Sequence, residues 1–300
     1  MHEESAATMR KYFVQGIALL ICACVVAAQT AAQAKTEFAA QTELGWKSYA
    51  EFAGTTNRDG QVLLVQPSVG YTFTQHFGMD FGLPFYFAHV SDSNTGGTSG
   101  SGVGNPWVDL RWNLLNPKLN YGSVLTGAAP LGDSKLGLST GRATFDWNNR
   151  IDRSFNKVTP LLEAGLSNTV SDTRLFVRPY TTLGMNAHFL GGASVQASNH
   201  VSIGASAYDI APFGNQTVFS RVTRQGNGSS GGKGAPFQSS QQTTGSASIA
   251  EDNGFSTFVG FNPNQYVNAQ IGYTRSVHYD LNSISFSLGF NVGHLLRNSN

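Results

Sequence analysis

The sequence predicts an all-β fold: a transmembrane, antiparallel up-and-down β-barrel of about twelve strands, following a cleaved signal peptide. Three observations carry this. Apolar and polar residues alternate with period two along most of the chain after Lys35, as in strands with one apolar and one polar face. The segments are even in number, and their connections alternate short and long, the pattern of bacterial outer-membrane barrels. Charge is scarce: Asp, Glu, Lys and Arg make up 12% of the 300 residues, about half the share of a soluble domain.

The missing charge is replaced by 34 glycines and many Ser, Thr, Asn and Gln, with aromatics at 11%. Outside the N-terminal segment no stretch approaches the roughly 18 uninterrupted apolar residues of a membrane helix, so a helical membrane protein is excluded. The 20 Phe, 10 Tyr and 4 Trp exclude a disordered chain. A net charge of +1 leaves no basic footprint for nucleic acid.

Residues 1–34 have the features of a secretory signal peptide. Met9-Arg10-Lys11 is a short basic start, Val14 to Ala28 an apolar run too short to span and stay, and Ala32-Gln33-Ala34 a small-x-small cleavage site. The acidic lead-in His2-Glu3-Glu4 does not suit such a signal, so Met9 is the expected start. Cys22 and Cys24 both lie in the apolar run, so the chain from Lys35 contains no cysteine, which excludes a disulfide scaffold and a thiolate metal site. Removal of residues 1–34 takes away two basic and two acidic residues, and the exported chain, 35–300, stays nearly neutral.

Twelve strand segments follow, near 41–53, 61–75, 77–90, 105–115, 120–130, 143–155, 158–169, 174–197, 200–210, 254–262, 265–277 and 281–293. In the second, Leu63, Val65, Pro67, Val69, Tyr71 and Phe73 alternate with Gln66, Ser68, Gly70, Thr72 and Thr74. The third sets Phe77, Met79, Phe81, Leu83, Phe85 and Phe87 against Gly78, Asp80, Gly82 and Tyr86. The last is the cleanest: Ile284, Phe286, Leu288, Phe290 and Val292 against Ser283, Ser285, Ser287, Gly289 and Asn291. Long connections run from Ser91 to Gly104, Leu131 to Arg142 and Asp209 to Asn253. The tight ones are Gln75-His76, Asn116 to Leu119, Asn156-Lys157, Ser198-Asn199 and Pro263-Asn264. Short turns face the periplasm in such barrels, and an even strand number puts both termini there.

A soluble β-sandwich would show the same alternation. Against it stand the segment lengths, about 11 to 24 residues where globular strands have about five or six, and a polar face of neutral groups where a water-exposed face would carry Lys and Glu. A lipid-facing exterior tolerates no charge, whereas neutral polar groups suit a wet lumen. On the apolar parity Phe73, Phe77, Trp112, Tyr121, Phe155, Phe189 and Phe261 lie near the short-turn ends, where an interfacial girdle belongs. One segment resists: between Ala143 and Phe155 the apolar parity includes Asn149 and Arg153, which a bulge or an oligomer contact would explain. The last strand is followed by a polar tail, Arg297 to Asn300, so Phe290 is the aromatic left for recognition by the barrel-insertion machinery.

Two segments, Gly102 to Trp112 (GVGNPWVDLRW) and Ala129 to Phe145 (APLGDSKLGLSTGRATF), resemble the outer-membrane β-barrel family of the meta-pathway of phenol degradation. That family carries a G-x-G-D turn opening a strand, then a P-x-G-D loop and a G-[ST]-G turn. Pro130-Leu131-Gly132-Asp133 and Ser139-Thr140-Gly141 match, and Asn105 stands where the family has Asp. The resemblance implies an outer-membrane channel for small, often aromatic or hydrophobic, compounds, distantly akin to long-chain fatty-acid transporters, with no catalytic residues and no cofactor. Those transporters plug the lumen with a long N-terminal hatch. Only Lys35 to about Ala40 precede the first strand here, so a plug must come from lumen side chains or a folded-in loop.

Lumen parity collects Asp80, Asp109, Arg111, Asp146, Arg150, Glu163, Arg178 and His188. Charges inside a barrel form either a selectivity ring or ligand site, or structural ion pairs bridging neighbouring strands. Both signs are present in similar number, so strong ion selectivity is not expected. Asn199-His200-Val201-Ser202 puts a His and a Ser on one strand face, the spacing of an outer-membrane phospholipase nucleophile motif. His200 closes a tight turn and Ser202 begins a lumen face, so the pair is read as structural and no enzyme is expected. Asp92 to Gly97 and Glu251 to Gly254 lack full calcium-loop spacing and read as turns, leaving no metal. The stretch near 209–253 reads as a hairpin beyond the membrane, with arms at Gln216 to Val222 and Thr243 to Ile249 and a tip at Gly226 to Gly234. It either folds into the pore mouth or serves as an adhesin or receptor.

The expected role is passive uptake of small solutes across the bacterial outer membrane, with membrane lipid, lipopolysaccharide, the insertion machinery and the solutes as partners. A structural or adhesive surface barrel without transport is the alternative, and a lipid hydrolase the remotest one.

Overall fold

The computed structural model describes residues 44–58, 60–90, 98–116, 119–132, 138–139, 141–169, 180–222, 237–238, 243–264 and 266–293. Residues 1–34, read as a signal peptide, residues 35–43, Arg178, Asp92 to Gly97, the tip Gly226 to Gly234 and the tail from Arg297 lie outside the described residues.

All strands belong to one antiparallel sheet that closes on itself as a barrel of 12 strands. They are β1 (Gly45–Asn57), β2 (Gly60–Thr72), β3 (Phe77–Gly82 and Phe85–Val90), β4 (Thr98–Val103 and Trp107–Leu114), β5 (Asn120–Ala128) and β6 (Thr144–Asp152). Next come β7 (Val158–Thr169), β8 (Tyr180–Gln196), β9 (Val201–Pro212 and Gln216–Val222), β10 (Phe237–Gln238, Thr243–Gly245 and Asp252–Phe261), β11 (Val267–Ser276) and β12 (Leu281–Asn291). Closure is made by β1 on β12, in register from Tyr49 opposite Asn291 to Asn57 opposite Ser283. Every edge is thereby paired, which is what a bilayer demands of strands.

Period-two alternation becomes the two faces of the wall. On β12 Ile284 and Phe286 are exposed while Ser283 and Ser285 are buried on the lumen side. On β2 Leu63 and Val69 face out, and Gln66 and Thr72 face in. At the short-turn rim Trp46, Tyr71, Phe73 and Phe77 form a chain of ring contacts with centroids 5.1, 4.9 and 5.4 Å apart. Trp112 and Tyr121 form a further pair at 5.8 Å. Phe189 sits higher on the wall, opposite Ala164 and Asp209.

Three departures from the sequence reading have physical reasons. Thr98–Val103 (TSGSGV) is the upper half of β4, inside what reads as a connection. Its Gly and Ser give no apolar alternation, and pairing with Phe85–Val90 supplies what periodicity does not. The second arm of the β9–β10 hairpin is shorter than expected: strand ends at Gly245, and Ala247–Ile249 is a single 3-10 turn. Asn149 and Arg153 involve no bulge, because β6 keeps register with β5 and β7 straight through Asn149. On the outer face the Tyr121 hydroxyl donates to Asn149 Oδ1 (2.7 Å), Asn149 Nδ2 donates to the Ala164 carbonyl (3.4 Å), and Arg153 lies 4.6 Å over the Phe155 ring.

β3 and β4 are both interrupted at mid-wall, at Leu83-Pro84 and Gly104-Asn105-Pro106, where proline withdraws a ladder donor. The wall stays joined there: Gly104 N donates to the Pro84 carbonyl (2.8 Å) and Leu83 N to the Pro67 carbonyl (3.2 Å).

Candidate functional site

The lumen of the β3–β8 half of the barrel carries the predicted charges, and glycines make room for them. Gly78 lies opposite Arg111 on the ladder. The Arg111 side chain crosses it, with Nη2 3.0 Å from where a Cβ would stand, and reaches Asp80 Oδ1 at 3.0 Å. Asp109 stands directly opposite Asp80. One step round, Arg150 faces Glu163 and bonds Glu163 Oε1 (3.0 Å) and Asp152 Oδ1 (3.1 Å) at once. Asn148 Nδ2 donates to the other Glu163 oxygen (3.3 Å), and Asn120 Nδ2 to the other Asp152 oxygen (3.1 Å). Arg150, Asp152 and Glu163 are each under a tenth exposed. Higher up, His188 lies across Gly165, where no Cβ would fit, and places Nε2 2.8 Å from Asp146 Oδ1.

Seven of the eight predicted residues are therefore described, and all seven face the lumen. The ion pairs among them are Asp80–Arg111 between β3 and β4, Arg150–Glu163 between β6 and β7, and Asp146–His188 between β6 and β8. The wall from β9 to β12 presents mostly buried hydroxyls, Ser202, Ser206, Ser256, Thr274, Ser283 and Ser285, together with the buried Asp252. Sequence reasoning missed Asp152, although it shares parity with Asp146 and Arg150, and likewise Lys47 and Glu51 on β1 and Asp252 on β10.

A second feature was not anticipated. Toward the long-loop end the lumen wall is apolar, with Ala53 on β1, Val62 and Leu64 on β2, and Tyr86 and Ala88 on β3 in one buried cluster with Leu138. The signal was present: Val62 and Leu64 are apolar residues on an otherwise polar parity. Below this patch Trp107 crosses Gly82 and donates from Nε1 to Gln66 Oε1 (3.2 Å), and Gln66 Nε2 donates to Glu51 Oε2 (3.4 Å). From the long-loop end downward, this wall thus passes from an apolar patch to the Trp107 shelf and then to the Asp80–Arg111 pair.

Leu138 belongs to the connection between β5 and β6, whose two glycine-rich motifs make contacts of their own. Asn105, in the β4 interruption, accepts the Gly132 N–H on Oδ1 (3.1 Å), and Ala129 N donates to the Pro106 carbonyl (3.0 Å). A Cβ on Gly132 would stand 2.7 Å from the Gly104 carbonyl carbon, so only glycine allows this contact. At the far end Ser139 Oγ accepts the Gly141 N–H (3.0 Å), with Gly141 at φ +68°. Asp133 and Thr140 of the motifs lie outside the described residues.

The Ser–His spacing does not form a hydrogen-bonded pair. His200 Nδ1 is 3.0 Å from the Asn262 carbonyl oxygen at the short-turn rim, and Ser202 Oγ has no hydrogen-bond partner. The Glu251 to Gly254 stretch, read as a turn, is strand from Asp252 onward, paired with β9, and Asp252 is fully buried and accepts from Ser276 Oγ (2.6 Å) and the Tyr208 hydroxyl (3.1 Å).

No family model matches the chain, and no curated protein matches it either. Solved structures do. An outer membrane channel from Pseudomonas putida F1 superposes with a TM-score of 0.54 over 83% of this chain and 96% of its own, at 11% identity. The fold is that of a bacterial outer-membrane β-barrel. A NanC porin (TM-score 0.44, 7% identity, 81% of this chain and 99% of that one) and the CymD monoaromatic hydrocarbon channel (0.40, 8%, 90% and 94%) match more loosely. The fold statement rests on the first. It agrees with what the wall requires by itself, a closed ladder with a mainly apolar outer face turned to lipid.

Proposed function

We propose that this protein is an outer-membrane channel that lets small solutes enter by passive diffusion, short turns toward the periplasm and long connections outside. The observation that carries the reading is the sorting of side chains. The exterior is apolar and aromatic, while the charged, hydroxyl and amide groups are gathered inside a closed barrel. Internal polar groups lower the desolvation cost of a solute in transit, and a purely structural barrel has no need to collect them. The motif resemblance at Gly102 to Trp112 and Ala129 to Phe145 extends the reading to small aromatic or hydrophobic cargo of the phenol-degradation kind.

The test is permeability. Liposomes carrying the refolded protein are expected to admit small phenolics and sugars faster than protein-free liposomes of the same lipid. Equal rates would favour a structural or adhesive surface barrel.

A further inference from the structure

Two separate contacts tie described residues of the β5–β6 connection to the wall. At one end the Gly132 N–H is held by Asn105 Oδ1 at 3.1 Å, in a gap that a Cβ would close. At the other, Leu138 is 9% exposed and packs with Val62, Leu64, Tyr86 and Ala88, all on the lumen parity of β2 and β3. A leucine in a connection between strands has no local reason to be buried. Here it is buried because the wall offers it an apolar seat.

We propose that Leu138 is a specificity-determining residue of the pore, an apolar stop set against the β2–β3 wall, and that Asn105 is the residue that positions it. The inference rests on the channel reading above. An apolar constriction resists water and ions because they lose hydration there without compensation, while an uncharged solute loses little. Leu138 therefore filters by hydration as much as by width. The ion pairs below it sit behind this filter on the path inward.

The test compares wild type with L138A, L138W, N105A and N105D in planar bilayers with KCl, and in liposomes with a neutral sugar. Native folding of each is checked by far-UV circular dichroism and heat-modifiable gel mobility. L138A is expected to raise KCl conductance and sugar entry about threefold, and L138W to lower both, as expected for a hydrophobic constriction widened or narrowed. N105A is expected to behave like L138A. N105D, which keeps an acceptor for the Gly132 N–H, is expected to match wild type, a rescue that general loosening would not produce. If wild type conducts and L138A and L138W conduct identically to it, the inference is overturned while the channel reading stands. If L138A does not refold, N105A equal to wild type overturns it instead. If no protein conducts at all, the channel reading fails and takes the inference with it.

Discussion

Arg150 and Glu163 face each other across the β6–β7 ladder with Nη1 and Oε1 3.0 Å apart, both under a tenth exposed, and the same guanidinium holds Asp152. A buried cation between two carboxylates is stable only as a set, because removing one member leaves charge without compensation. Glu163→Gln is therefore expected to destabilise the barrel by about 3 kcal/mol. The double change Arg150→Met with Glu163→Leu is expected to cost less than the single one. Urea unfolding of the protein in lipid vesicles measures both, and a single variant as stable as wild type would refute the pair's structural weight.

His188 depends on a neighbour it does not bond. Its ring occupies the space above Gly165, so Gly165→Ala is expected to push it away from Asp146 and to destabilise the fold by about 1–3 kcal/mol through overpacking. The same substitution in a His188→Ala background is expected to cost less but still something, because the added methyl also meets the Trp147 carbonyl oxygen at 2.6 Å. Equal costs in both backgrounds would show that the ring is not what the added methyl meets.

On the lipid face, Tyr121→Phe is expected to cost about 1 kcal/mol by leaving Asn149 Oδ1 without its donor. Combining it with Asn149→Leu is expected to recover that loss, since a pair of apolar groups has nothing left to satisfy. A double-mutant cycle on unfolding free energies reads the coupling, and additivity would contradict it.

Arg111 balances Asp80 where Asp109 stands opposite. Arg111→Met is expected to leave that part of the bore acidic and to shift the reversal potential in a KCl gradient toward cations, by about twofold in permeability ratio. An unchanged potential would place these groups off the conducting path.

The legibility of this protein divides along the range of the forces involved. Face alternation is a property of neighbouring residues, so the twelve strands, their apolar exterior and the inward placement of Asp80, Arg111, Arg150, Glu163 and His188 follow from the order of amino acids alone. Thr98–Val103 carries no such alternation and is a strand only because β3 offers it a ladder. Asn149 on the outer face is likewise tolerable only because register puts the Tyr121 hydroxyl against it.

The sequence by itself determined which side chains face lipid and which face the lumen, because pleating sends successive residues to opposite faces whatever the strand's partner is. It did not determine which lumen groups meet. That followed from the register, which sets Arg111 beside Asp80, Arg150 against Glu163, and His188 over Gly165 toward Asp146. Nor could it place Leu138. A contact between Gly132 and Asn105, 27 positions apart in the chain, holds the start of the β5–β6 connection against β4, and only closure of the barrel gives its leucine an apolar wall to meet.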